Sequence, residues 1–342
     1  MVPPFGFIRY ANGCAATPIP RVIFLQWSIF LLSDTIDSMK MTLIGTGTSH
    51  GVPVIACDCA VCKSTDPHDK RLRCSALVEH EGKKFLIDVG PDFREQALKF
   101  NIRHLDAVFI THAHADHLHG IDDLRIFSHK NSAAMCREQA ILQKYPETSG
   151  EGLSVYTSER TKGYIHERFP YIFVDHDKGG GIPKLNLIGM DSNNSQNPLK
   201  IGGVEIVPIP MLHGNHHTIG FVFSYIDSSN IKKGMAYLTD CNFISDQSIA
   251  EVKKAGGQIE HLVIDALRER EHSSHCNFSQ ALAYAEQIRA KHIWFTHITH
   301  EKSHIQIQSY IEEHLQEFPN LAVTVKDGGS VSPSYDGLIL EC

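Results

Sequence analysis

The chain has 342 residues, 42% of them hydrophobic, and a net charge of −7 with histidine neutral. That is enough apolar material for one large domain or two ordinary ones, and an acidic balance without a basic block excludes binding of nucleic acid or a membrane surface by bulk charge. Twenty-two histidines and nine cysteines stand out; the odd, crowded cysteines do not read as a disulfide framework, and both counts point to metal chemistry in a reducing compartment, expected to be the cytoplasm.

Residues 22–32, VIFLQWSIFLL, are apolar but too few to span a bilayer. Arg9 and Arg21 precede them and no small-residue cleavage site follows. Residues 1–38 are therefore expected to be a disordered or artefactual extension, with a targeting segment as the alternative. A strand pattern begins near Met39 and Met41, and residues 39–342 are expected to form the folded domain.

From there short apolar runs alternate with helical patterns, which indicates an α/β protein. MTLIGTGTSHG is a strand running into a Gly-rich loop. That loop lacks the lysine and hydroxyl of a P-loop and reads as a tight turn. Just beyond it, CDCAVC spaces Cys57, Cys59 and Cys62 so closely that three thiolates need one more donor to complete a tetrahedral zinc site. His300 is the candidate. KKFLIDVG is a strand ending at Asp88, followed by a helical pattern over 92–100.

The segment FITHAHADHLHG then packs four histidines and an aspartate into positions 112–119. In an extended chain His112 and His114 point the same way, and Asp116 and His117 follow in the turn that opens a helix over 118–127. Two ligand pairs suggest two metals rather than one. His119 lies beyond the pattern and reads as a helix-surface residue. Segments 128–152 and 176–198 look inserted, as surface loops or lids. A helical pattern over 158–169 lies between them. Four further strands end in candidate ligands: VEIVPIPMLHG at His213, GMAYLTDCN at Asp240, HLVIDALRE near Asp265, and HIWFTHITH at His297 and His300. Helices are expected over 280–289, capped by Asn277 or Ser279, and over 304–318.

THAHADHLHG resembles the His-x-His-x-Asp-His signature of the metallo-β-lactamase superfamily. That resemblance implies a four-layer αβ/βα sandwich, two mixed sheets flanked by helices, with two divalent metals (manganese or zinc, with iron as an option) at one edge. It implies that one metal takes His112, His114 and His213, the other Asp116, His117 and His297, and that Asp240 bridges them. Asp88 matches the family's supporting aspartate. The Cys57-x-Cys59-x-x-Cys62 loop with THITH narrows the resemblance to the PhnP-type phosphodiesterases, where such a loop and the second histidine hold a structural zinc. His275, in SHCNF, matches the residue that protonates the leaving group, with His272 as the nearby competitor for that role. His275, Asp116 and Asp240 are thus the implied catalytic residues. Arg268 has two readings, a contact to substrate phosphate or a surface ion pair. Cys241 and Cys276 read as packing residues.

The activity implied is hydrolysis of a small, cyclic phosphodiester such as 5-phosphoribosyl 1,2-cyclic phosphate, by a protein without stable nucleic-acid binding or membrane association. A homodimer is implied by the resemblance alone. The competing readings are a ribonuclease Z-like endonuclease, a thioester or lactone hydrolase, and a non-catalytic zinc-binding protein.

Overall fold

Apolar residues alternate faces along most of the strands, and this alternation builds the layers. The computed structural model describes residues 38–128, 152–173 and 182–342. The expected extension over 1–38 thus lies outside the described residues except for Ser38, as does nearly all of the 128–152 segment. The strands are β1 (Lys40–Gly45), β2 (Ser75–His80), β3 (Lys83–Ile87), β4 (Ala107–Phe109), β5 (Leu153–Thr157), β6 (Leu185–Gly189) and β7 (Leu199–Ile201). They continue with β8 (Val204–His213), β9 (His216–Ile226), β10 (Lys232–Leu238), β11 (Gln258–Asp265), β12 (His292–Thr296), β13 (Ser330–Pro333) and β14 (Ile339–Glu341).

These strands form two seven-stranded mixed sheets, ordered β14-β1-β2-β3-β4-β5-β6 and β13-β12-β11-β10-β9-β8-β7. In the first, β3 to β6 are parallel; in the second, β10 to β13 are parallel. The C-terminal strand β14 pairs with β1, so both ends of the domain close one sheet.

One apolar cluster lies between the sheets and one on the outer face of each. Ala107 and Phe109 of β4 face inward with Phe85, Phe221, Phe223 and Tyr237, while Val108 faces out towards Phe93 and Ile165. Leu262 and Ile264 of β11 face out against Phe278, Ala281 and Leu282, while Val263 faces in. The period of two thus places helices outside both sheets, which gives the expected four layers. Phe109 anchors the inner layer, with ring centroids 5.2 Å from Tyr156 and 5.4 Å from both Phe221 and Phe223.

Several expected elements are shifted. The helix over 118–127 is broken into Ala115–Leu118, a 3-10 turn Ile121–Leu124 and Arg125–Ser128. Gly120 interrupts it because the chain passes the Gly90 carbonyl there too closely for a side chain. The helices Glu159–Arg168 and Phe278–Ile288 form where expected, capped by Ser158 and Asn277. The 176–198 segment is not wholly a loop: LNLIG forms the edge strand β6 and pairs with β5 over five residues.

Candidate metal centre

The centre is assembled where strands stop. Strand β3 delivers Asp88, β4 leads to His112, β8 ends on His213, β10 leads to Asp240, β11 ends on Asp265, and β12 delivers His297. Polar groups gather there because a strand's carboxyl end frees the chain from the ladder, and a following turn can aim side chains into the gap between sheets. Asp88, Asp240 and His297 sit at φ of 60°, 56° and 61°, a left-handed backbone rarely adopted by residues with a side chain. Each costs about 1–3 kcal/mol, which the surrounding packing must offset. Such strain concentrates where side-chain direction matters more than local stability.

The histidine segment lies beyond β4 rather than within it, a correction to the simple strand picture. His114 is the extended residue before the turn Ala115–Leu118. The rings of His112 and His114 still meet, with centroids 4.5 Å apart. A close backbone approach holds the loop: a Cβ on Gly90 would lie 1.9 Å from the Asp116 carbonyl oxygen. On its other side Arg168 donates a hydrogen bond to the Ala113 carbonyl.

Donor atoms of His112, His114 and His213 lie within 4.8 Å of one another, as do those of Asp116, His117, Asp240 and His297. His117 Nε2 is 3.1 Å from Asp240 Oδ2 and 3.2 Å from Asp116 Oδ2. His297 Nε2 is 3.2 Å from Asp240 Oδ1, and His112 Nε2 is 4.0 Å from the same oxygen. Asp240 therefore touches both groups, as a bridging carboxylate must.

The far sides of the rings are fixed. His117 Nδ1 donates to Asp88 Oδ2 at 2.7 Å, His213 Nδ1 donates to the Ser274 carbonyl at 2.7 Å, and His112 Nδ1 is 3.0 Å from Thr111 Oγ1. The Nε2 atoms of His112, His117 and His297 are buried without a well-formed hydrogen bond, those of His117 and His297 facing carboxylate oxygens, and His297 Nδ1 has no partner either. Buried nitrogens are rarely left so, because desolvation without a partner costs about 1–3 kcal/mol each. His112 and His117, held by Nδ1 with Nε2 turned into the cluster, are arranged to bind cations.

Electrostatics agree. Burial and the neighbouring cationic His117 hold His112 well below its usual range, so its ring is neutral. Burial also opposes charge on His117, but Asp240, Asp116 and Asp88 overcome it and raise this ring well above its usual range. Asp116 and Asp240 lie well below the usual carboxylate range, because His117 outweighs the burial that acts the other way. Three carboxylates thus demand positive charge at one point. A proton on His117 meets that demand in the bare chain, and a divalent ion in its place would meet it better. The residues fit a metal pair.

His275 stands beside this centre. Its ring lies 4.6 Å from that of His297 and 4.5 Å from that of His213. Its Nδ1 donates to Asp265 Oδ2 at 2.8 Å. Burial lowers its pKa, but the Asp265 carboxylate prevails and lifts it to about 9. Asp265, expected only as a candidate ligand at a strand end, is the partner that orients His275, a role the sequence did not assign to it. Its signal was present, since HLVIDA ends an apolar strand in a carboxylate just as FLIDVG does at Asp88.

The cysteine loop closes on His300 as expected. Cys57, Cys59 and Cys62 place Sγ 3.3, 3.4 and 3.4 Å from His300 Nδ1. Zinc bond lengths imply an S to N edge of about 3.6 Å in a tetrahedron, so the four donors fit one ion. Amide donors already serve the sulfurs: Val54 N lies 3.3 Å from Cys62 Sγ and Cys62 N 3.4 Å from Cys59 Sγ. The Cys62 amide holds the Cys59 thiol down at about 6, against burial, whereas burial pushes Cys62 up to about 11. The Gly-rich turn is tied to the same place, as Ile298 N donates to the Thr46 carbonyl at 3.0 Å and Thr48 N to the Ile298 carbonyl at 3.2 Å. An ion here would brace the loop that presents His297.

The remaining expectations resolve simply. Arg268 pairs with Glu301 at 3.0 Å, which favours the ion-pair reading. Cys241 and Cys276 are fully buried in the outer core of the second sheet. His119 is exposed, its ring 5.7 Å from that of Phe169. Among the described residues no helix is long and apolar enough to cross a membrane.

The family described as "Beta-lactamase superfamily domain" matches residues 83–298. A crystal structure of a new diphosphatase from the PhnP family superposes with a TM-score of 0.67 at 33% identity, covering 89% of this chain and 97% of that one. An octanoyltransferase of Porphyromonas gingivalis is 32% identical over 302 residues, 88% of this chain and 51% of that protein. The chain thus spans about half the length of that relative. A ribonuclease Z of Anoxybacillus flavithermus is 26% identical over 277 residues, 72% of this chain and 86% of that enzyme. The chain belongs to the metallo-β-lactamase superfamily of hydrolases and resembles its PhnP family.

Proposed function

We propose that the chain is a dinuclear-metal-dependent phosphodiesterase acting on small, often cyclic, phosphodiesters, with 5-phosphoribosyl 1,2-cyclic phosphate as the substrate the family resemblance favours. His112, His114 and His213 would hold one ion, and Asp116, His117 and His297 the other, with Asp240 between them. Bound there, the ions would supply Lewis-acid charge to a phosphoryl oxygen and acidify a water.

The observation that carries the reading is His275. An imidazole lifted to about 9 stays protonated at neutral pH. A group with that pKa suits donation to an alkoxide leaving group, the difficult departure in an alkyl diester. Asp265 holds the proton on Nδ1 and stabilises the cation, which leaves the second proton, on Nε2, for the leaving oxygen. Asp88, Thr111 and Ser274 hold the rings of His117, His112 and His213 in place. Cys57, Cys59, Cys62 and His300 would hold a structural zinc.

The likeness to a PhnP-family diphosphatase favours one second reading, a diester of diphosphate. Its bridging oxygen departs as a phosphate and needs less help from an acid, so it would depend less on His275.

Hydrolysis in oxygen-18 water separates these reactions. The metal-loaded protein is given an alkyl phosphodiester, a diphosphate-linked dinucleotide, a thioester, a chromogenic β-lactam and a pre-tRNA. Label in phosphate from the alkyl diester, lost in H117A, supports the proposal. Label entering only carboxylate, or cleavage of pre-tRNA alone, would overturn it.

A further inference from the structure

The residue before the histidine segment is fully buried and more heavily bonded than a spacer requires. The Thr111 amide donates to Asp88 Oδ1 at 2.8 Å. Its hydroxyl lies 2.9 Å from Asp88 Oδ2, 3.1 Å from Oδ1 and 3.0 Å from His112 Nδ1. Asp88 Oδ2 also accepts from His117 Nδ1 at 2.7 Å. The Thr111 carbonyl accepts from Ile219 N of the other sheet at 3.2 Å, which fixes the backbone independently of the hydroxyl.

A hydroxyl has one proton and two lone pairs, and a carboxylate can only accept. The Thr111 proton therefore goes to Asp88, and the hydroxyl must accept from His112 Nδ1–H. That places the His112 proton on Nδ1 and bares Nε2, the atom found buried and unpartnered. Asp88 likewise holds the His117 proton on Nδ1, so that its Nε2 faces Asp116 and Asp240. His112 belongs to one donor cluster and His117 to the other. The continuous buried series His112–Thr111–Asp88–His117 thus joins them behind the donor atoms.

We propose that Thr111 is a positioning residue that sets the His112 tautomer and couples the two metal sites, so that both ions are held or lost together. Valine at this position keeps the branched shape and the backbone bonds but leaves His112 Nδ1–H without an acceptor and Asp88 without one donor. His112 is then free to turn or to move its proton to Nε2, and Asp88 loosens on His117. Serine keeps the hydroxyl. The proposal rests on the dinuclear reading above.

The test measures metal content of the full-length protein against graded chelator, for wild type, T111V and T111S. Partners of this kind are worth about 10- to 100-fold in metal affinity. T111V should release both active-site ions at about 10- to 100-fold lower chelator, keep the cysteine-held ion, and be rescued by T111S. Release of one ion only, or wild-type retention in T111V, would overturn the proposal and leave the dinuclear reading standing. Wild type that never holds more than the cysteine-bound ion would overturn the reading and the proposal together. Should T111V fail to fold, long-range proton–nitrogen NMR on chelated wild type decides the matter. A His112 proton on Nδ1 supports the relay, and one on Nε2 refutes it.

Discussion

Asp265→Asn isolates the acid. Asparagine has the same shape, and its carbonyl can still accept from His275 Nδ1 and from the Cys241 amide, which lies 3.0 Å from Asp265 Oδ2; the negative charge is lost, and the amide NH2 takes the buried Oδ1 position, which has no partner. In the native chain that charge overcomes burial and lifts His275 to about 9. Against an ordinary histidine near 6.5 this is a preference of about 3 kcal/mol for the protonated ring. Without it only the charge of Asp240 opposes burial and the neighbouring His117, and the pKa falls towards the ordinary value. Bound divalent ions would lower it in both proteins alike. The assay is kcat/KM against pH on an alkyl diester, compared with a p-nitrophenyl diester whose leaving group needs no proton. Activity that depends on protonated His275 is lost as pH rises through its pKa. The basic limb for the alkyl diester should therefore move down by about two pH units in the variant, while the aryl diester responds little. An unmoved basic limb on the alkyl diester would refute the reasoning. Stability reports the same linkage independently: a pKa raised on folding stabilises fully below the unfolded value and loses that contribution through about pH 9. The stability gap between wild type and D265N in chelated protein should be widest in mild acid and narrow as pH rises through that value.

Three further outcomes follow from the geometry. In chelated protein at neutral pH, Cys59, held at about 6, should alkylate before Cys62, which is pushed to about 11; peptide mass spectrometry after timed iodoacetamide reads the order. Gly90→Ala should push the Asp116 backbone away, since its Cβ would lie 1.9 Å from that carbonyl oxygen; titration should show loss of the ion nearest Asp116 before loss of fold, at an overpacking cost of about 1–3 kcal/mol. Phe109→Ala removes the ring at the centre of the inner layer and should cost about 3–5 kcal/mol in denaturant melts.

The centre was legible in the sequence because its chemistry is local and repeated. Apolar strands that end in His or Asp announced Asp88, His213, Asp240 and His297, and the spacing of Cys57, Cys59 and Cys62 announced the donor cluster that closes on His300, a pattern that needs little tertiary information. The α/β class followed from alternating strands and helices, and the four-layer sandwich from the family resemblance. What stayed hidden depends on the far chain. Gly90 reads as a turn residue until the Asp116 carbonyl is seen against it. Thr111 reads as a strand filler until both of its polar partners are placed. The edge strand β6 lies in a stretch rich in Gly, Asn and Ser, where composition argued for a loop and pairing with β5 prevailed. The helix over 118–127 failed because amphipathic spacing cannot sense the Gly90 carbonyl pressing on Gly120.

The most direct test of the central claim is a titration of metal-free full-length protein with manganese, following bis(p-nitrophenyl) phosphate hydrolysis against p-nitrophenyl phosphate as the monoester control. The account predicts that diester turnover rises with the second active-site ion, exceeds monoester turnover throughout, and is absent from H117A. Full loading of both clusters with no diester turnover, or faster turnover of the monoester, would contradict it.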